Sequence, residues 1–371
     1  MYFEEARLES WMRDFYFDTD LDIGSSGVHP YSFADVRRLT GLNGTDLDAV
    51  TFGDSWTLGG PGIRHELADR FTSGRAERVM VTHGSSEAIF LSMTALLRPG
   101  DEVVVLDPVY QQLAGVAAAV GCTLRRWRLS FADEFRPDLA ALRALVTVRT
   151  AMIVVNFPHN PTGVSLSPEQ QRELVTIAEG AGAYLVWDAA FAEITYGREP
   201  LPDPGGWYAR ALTFGTFSKV YGLPGLRVGW CLARPETLER LAGVRDYVSL
   251  HLSPLIELIA ERVVRNGDRF VAPRRDLATR NRALLAQWMA EHAADVQWVP
   301  PDGGVTAFVR FPHVGDGAEF CRRLATKHRV LLVPGECFGH PGFARLGFGG
   351  PRANLVEALD HLAGHLGEAH S

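Results

Sequence analysis

Cysteine is scarce in this chain: Cys122, Cys231, Cys321 and Cys337 are widely scattered and form no metal-ligand spacing. Neither a disulfide scaffold nor a zinc module is expected, and reduced buried thiols are the default. Long apolar runs are missing too, so no segment suits a bilayer crossing. Acidic residues stand at once in the opening MYFEEARLES, which argues against a leader peptide. There is no excess of basic charge: 37 Lys and Arg stand against 44 Asp and Glu, a net charge of -7. That balance argues against nonspecific nucleic-acid binding, and the one basic cluster, RRWR at 125 to 128, reads as half of a strand face. Internal repeats, low-complexity segments and a helix-turn-helix module are absent. The expectation is a cytoplasmic protein with neither nucleic acid nor membrane as partner.

What is present is apolar material in a regular order. Hydrophobic residues make up 46% of 371, enough for a large domain with a substantial core and a smaller one. Residues 1 to 40 read as an N-terminal arm, with one short amphipathic helix around Leu8 to Phe17 and then a Gly/Ser/Pro loop. From 41 to 270, strands such as EVVVL at 102 to 106 alternate with helical stretches such as PEQQRELVTIAEGAG, the mark of a mainly parallel α/β sheet. A helix through Ser253 to Arg265 leads out of this domain. From 271 to 371 a helix, the strand TAFVRF, another helix, VLLV and a last helix near 352 to 367 form a small α+β domain, to which the arm returns.

The most telling segment is TFSKVYGLPGLRVG at 216 to 229. It follows the apolar ALTFG, so Lys219 stands just past the end of a buried strand, where open α/β sheets place their ligands. A lysine there suits covalent attachment to an aldehyde, with Thr216, Ser218 and Arg227 converging on a phosphate. Alone, a lysine flanked by glycines is ordinarily a solvated loop residue. Three further segments bear on it. THGSSEA at 82 to 88 opens a helix with free amides and hydroxyls, a phosphate site or an ordinary cap. Asp188 ends the apolar YLVW, and a buried carboxylate there needs a cationic partner such as a protonated pyridine nitrogen, unless it caps a turn. In MIVVNFPHNPTG at 152 to 163, Asn160 can donate to a phenolic oxygen, with Asn156 one turn earlier on the substrate side. Together these segments meet the needs of pyridoxal 5'-phosphate.

In this order and spacing the chain resembles the fold-type I pyridoxal-phosphate enzymes of the class I/II aminotransferase family, over nearly its whole length. The resemblance implies a large domain built on a mainly parallel seven-stranded sheet, plus a small α+β domain. It places Gly84, Ser85 and Ser86 on the phosphate, Tyr110 of DPVYQQL against the ring, Asn160 on the ring oxygen and Asp188 on the ring nitrogen. Lys219 carries the cofactor, Thr216, Ser218 and Arg227 complete the phosphate site, and Arg345 of FARLGFGG holds the substrate α-carboxylate by a two-pronged contact. Family members are usually homodimers with sites at the interface, which makes Asp54 and Trp56, or Tyr247 to His251, the expected donors to a partner's pocket.

Two positions depart from ordinary aminotransferases. Phe191 stands where a tyrosine commonly contacts the ring oxygen, and Asp54 where a tyrosine usually reaches the neighbouring subunit's phosphate. The segments GSSGVHPYSF at 24 to 33, WDAAF, GLPGLRVGWC and GGVTAF at 303 to 308 are similar to a narrower branch. Its members close 3-hydroxyarginine into a six-membered cyclic guanidine for antibiotic biosynthesis. The expected chemistry is a lyase-type cyclisation: Lys219 removes the α-proton, the ring anchored by Asp188 takes the electrons, and the β-hydroxyl leaves with Lys219 or His29 as general acid. Ring closure then needs a guanidine nitrogen freed of its proton, which costs roughly 8 kcal/mol at neutral pH for a pKa of about 13. A carboxylate beside the side chain would help, and Asp22, Asp54 and Asp246 are the candidates. The alternatives are an aminotransferase for a basic or aromatic amino acid and a noncatalytic amino-acid sensor.

Overall fold

The computed structural model describes residues 1–369. Its centre is a seven-stranded sheet in the order Val79–Thr82, Gly229–Leu232, Ala211–Thr216, Tyr184–Asp188, Thr150–Asn156, Glu102–Asp107, Thr123–Arg128. Gly229–Leu232 runs antiparallel to both neighbours, and the remaining pairs are parallel. Six of these strands are buried almost throughout, as expected for β-branched and aliphatic runs covered by helices on both faces. The edge strand Thr123–Arg128 is the exception: Trp127 is buried while most of its arginines face outward, the half-polar face that RRWR suggested.

Local signals set the covering helices. Pro168–Ala181 starts at a capping box between Ser167 and Gln170, has proline in its first turn, and stops where Gly182 turns left-handed. Pro254–Arg265 ends at Asn266, and the 25-residue helix Gly267–Glu291 begins at once. The expected domain boundary at 270 therefore falls inside a continuous helix. Beyond it lie an antiparallel sheet of Val333–Pro334, Phe343–Gly347 and Thr306–Arg310, flanked by the helices Gly317–His328 and Arg352–Ala369.

The arm returns to this smaller unit. Its helix, Arg7–Phe15, buries Leu8 and Trp11, and the Trp11 indole N–H donates to the Leu332 carbonyl at 2.9 Å. Burying Leu8 alone contributes about 2 kcal/mol. Leu21–Asp22 then pairs in parallel with Val330–Leu331. Among the described residues no helix is long and apolar enough to cross a membrane, and all four cysteines are free.

Parallel order brings chemistry to one edge. Asn156 and Asp188 are register partners at the carboxyl ends of adjacent strands, and Thr82 and Thr216 both pair with Gly229 between them. The segments that follow these strand ends meet above the sheet.

Candidate active site

A cavity of about 940 Å³ opens at that edge, between the strand ends, the small sheet and the arm. Lys219 reaches into it just after Ala211–Thr216. Its ammonium donates to Ser26 Oγ at 2.8 Å and lies 5.9 Å from the centre of the Phe191 ring. Enclosure pushes the amine down to about 8, and the positive Arg345 adds to the shift. Asp188 is buried at the floor and accepts the Ala190 N–H at 3.0 Å. Burial raises its carboxyl to about 6, against the opposing pull of that N–H and of Lys219. A carboxylate so placed is short of positive charge on its cavity side.

One end of the cavity is a cradle for an anion. The helix Gly84–Leu96 begins without a side-chain cap, so its first amides and the hydroxyls of Ser85 and Ser86 remain available. Thr216 Oγ1 donates to Ser218 Oγ at 3.1 Å, and Arg227 Nη1 reaches the same oxygen at 3.3 Å. The approach is close: a Cβ on Gly229 would sit 2.5 Å from the Gly84 carbonyl carbon. Glycine at 229 is thus required for the helix terminus to meet the sheet.

On the substrate side, Arg345 is buried within Phe343–Gly347. Its Nε donates to the Gly24 carbonyl at 3.0 Å and its Nη1 to Asn160 Oδ1 at 3.4 Å. Burial lowers it to about 10, with Asp22 pulling back. Asn160 Nδ2, the side-chain nitrogen, makes no hydrogen bond among the described residues, and Asn160 lines the cavity. Asn156, expected on the substrate side, lines the cavity and also braces its floor. Its Nδ2 donates to the Asp188 carbonyl at 2.9 Å and its Oδ1 accepts the Asn160 N–H at 2.8 Å, so it positions those two residues. His159 ties the neighbouring loops together through the Pro108 carbonyl and the Thr162 hydroxyl. Burial pushes its imidazole down to about 4.

The rim corrects several expectations. Asp22 lines the cavity, but its Oδ1 already accepts the Gly24 and Ser25 N–H groups. Asp54 is fully exposed beside His251, and Asp246 caps the helix Pro235–Arg245; neither lines the cavity. His29 lines its outer edge, where partial burial and Arg274 lower the imidazole below its usual range. Tyr110 faces inward, and its hydroxyl donates to Glu9 Oε1 at 3.1 Å. Glu9 and Ser26 were not singled out in the sequence. Ser26 lay in the visible SSG loop, whereas Glu9 looked like any polar residue of an amphipathic helix.

This donor set fits pyridoxal phosphate: an amine beside a buried carboxylate in want of a cation, an uncapped helix terminus with three further polar partners, and an amide donor between them. Topology and site together define the class, and the chain belongs to the aminotransferase class I and II family, whose profile matches residues 57–362. Within that class it is similar to the capreomycidine synthase of Streptomyces vinaceus, 44% identical over 364 residues, 98% of this chain and 94% of that protein. The crystal structure of the PLP-dependent cyclase OrfR superposes with a TM-score of 0.94 at 46% identity, covering 99% of this chain and 98% of that one. The arginine–pyruvate transaminase AruH of Pseudomonas aeruginosa is 29% identical over 324 residues, 81% of this chain and 79% of its own.

Proposed function

We propose that this protein is a pyridoxal-phosphate-dependent cyclase that converts 3-hydroxy-L-arginine into capreomycidine, with loss of one water, in antibiotic biosynthesis. The observation that carries this reading is the extent of the likeness to capreomycidine synthase: it covers 98% of the chain and so takes in the arm that roofs the cavity, whereas the general family profile begins at residue 57.

The residues that would hold the cofactor are Lys219, Asp188, Asn160, Tyr110, Thr216, Ser218, Arg227 and the helix terminus at Gly84, Ser85 and Ser86. When bound, the cofactor supplies a sink for the electrons released at the substrate α-carbon. Arg345 holds the α-carboxylate and fixes which α-substituent faces Lys219. An amine with a pKa of about 8 is partly neutral at pH 7, so Lys219 Nζ can accept the α-proton. The protonated Nζ then donates to the departing β-hydroxyl, which leaves as water. Ser26 orients that nitrogen between the two tasks. A guanidine nitrogen then bonds to the β-carbon as the α,β double bond opens; it sheds one proton, and Lys219 Nζ, neutral again, relays a proton back to the α-carbon. Loss of the guanidine proton is concerted with attack, because prior ionisation costs roughly 8 kcal/mol for a pKa of about 13.

Transamination is the second reading, favoured by the likeness to an arginine–pyruvate transaminase. Incubation with 3-hydroxyarginine decides between them. The cyclase yields a product one water lighter with no keto acid present, whereas a transaminase needs a keto acid and gives no cyclic guanidine.

The same proposal includes a cytoplasmic homodimer, arranged as an arm at 1–40, a cofactor domain at 41–270 and a small domain at 271–371. Free cysteines suit a reducing compartment. Phe52, Trp56, Tyr247 and Leu250 are large apolar side chains left exposed, and the contact of Asp54 with His251 brings their two segments together. Such a patch suits a subunit interface.

A further inference from the structure

Four carboxylates line the cavity: Glu9, Asp20, Asp22 and Asp188. Three are engaged. Asp188 belongs to the floor and to the ring nitrogen. Asp20 receives both Nε and Nη2 of Arg329, at 2.5 and 3.0 Å. Asp22 caps the turn at Gly24 and Ser25 through Oδ1, and its charge acts on the buried Arg345. Glu9 has one hydrogen bond, from the Tyr110 hydroxyl to Oε1, and no ion pair among the described residues. Its other oxygen is unused.

The charges of the cavity point the same way. Arg345 is matched by an α-carboxylate, Arg227 by a phosphate, Lys219 by the cofactor and Asp188 by its ring nitrogen. Once these are paired, and Asp20 with Arg329, the arm leaves Glu9 and Asp22 in the cavity lining against the single cation Arg13, whose guanidinium donates to Ser10, so the balance is negative. A substrate side chain that ends there should be cationic. A guanidinium suits Glu9, since its planar fork of N–H donors can reach the free oxygen while the phenol holds the other. Glu9 is also well fixed. Leu8, its neighbour, is buried, and the Leu8 N–H donates to Gln111 Oε1 at 3.1 Å, beside Tyr110. Backbone and side chain of the helix start are thus tied to the same segment.

We propose that Glu9 is the binding residue for the substrate's guanidinium and sets the preference for cationic over neutral side chains. This rests on the reading of the substrate as a guanidino amino acid. Calorimetric titration of the holoenzyme with L-arginine and with its neutral isostere L-citrulline tests it, because neither carries the β-hydroxyl and so neither can lose water. The wild type should bind arginine about 10 to 100 times more tightly than citrulline, as a charge-assisted pair implies. Glu9→Gln should reduce that ratio to within about threefold, Glu9→Asp should restore part of it, and both should retain cofactor and melting temperature. A preference unchanged in Glu9→Gln overturns the assignment and leaves the guanidino reading standing. Equal weakening of both ligands together with cofactor loss also overturns it, since Glu9 would then be structural. No preference in the wild type defeats the guanidino reading itself, and the assignment with it.

Discussion

Asp188 and Lys219 stand at the ends of adjacent strands in a buried sheet, whereas Glu9 and Asp22 reach the same cavity from an arm held by one short helix and a two-residue strand. The floor is set by register: moving Asp188 relative to Thr216 means breaking a ladder whose side chains are packed on both faces. The roof is fastened instead by contacts between segments far apart in the chain, among them Trp11 to Leu332, Leu21–Asp22 to Val330–Leu331 and the Gly347 N–H to the Ile23 carbonyl. The rigid part therefore carries the steps common to the class, where small displacements are costly. The arm lines the opposite side of the cavity, and its residues can change without disturbing the sheet.

The contrast is broken most severely at Lys219. Lys219→Ala should lower single-turnover product formation by about 10⁴-fold or more, and reductive trapping should find no cofactor at that position. Asp188→Asn comes next, with turnover down by about 10³-fold, because the ring nitrogen loses its anionic partner. The same change should stabilise the cofactor-free protein. A carboxyl raised from 3.8 to about 6 binds its proton more tightly in the folded state. The ionisation penalty is thus absent below pH 4, grows between 4 and 6, and is fully present above. Apoprotein melting curves should show the variant ahead at pH 8 by up to about 3 kcal/mol, with the gap closing by pH 4.

Roof changes should act differently. Trp11→Ala should free the arm and cost about 3 kcal/mol locally, opening the first 20 residues to proteolysis while the main melting transition and bound cofactor persist. If the sheet melts with the arm, floor and roof are not separable. His29→Gln should be the mildest, under about threefold on kcat, since Lys219 Nζ is the group that protonates the departing hydroxyl; a fall of about 10²-fold would make His29 the general acid.

Much of the floor could be read from residues alone. Alternation of apolar runs with helical stretches marked the parallel strands, and Thr82, Asn156, Asp188 and Thr216 stand where those runs stop. A polar residue at the end of a buried strand is conspicuous because its surroundings are not. The rim offered no such contrast. Asp54 and Asp246 looked as eligible as Glu9, since a carboxylate in a loop or on a helix flank carries no local sign of what it faces. Asn156 was legible as part of the site, but not that its amide would be spent on the Asp188 carbonyl and the Asn160 N–H.

The order of residues by itself determined the buried strands, the helices that cover them and the reactive groups at their ends, because burial period, caps and turn residues act over a few positions. Only the tertiary structure decided which acids outside the sheet overlook the cavity, Glu9, Asp20 and Asp22 of the arm rather than Asp54 or Asp246. That placement depends on contacts such as Trp11 with Leu332, 321 positions apart, and on a two-residue pairing at the edge of the small domain. No local pattern encodes a contact of that range, since it forms only once both partners are folded against the same core.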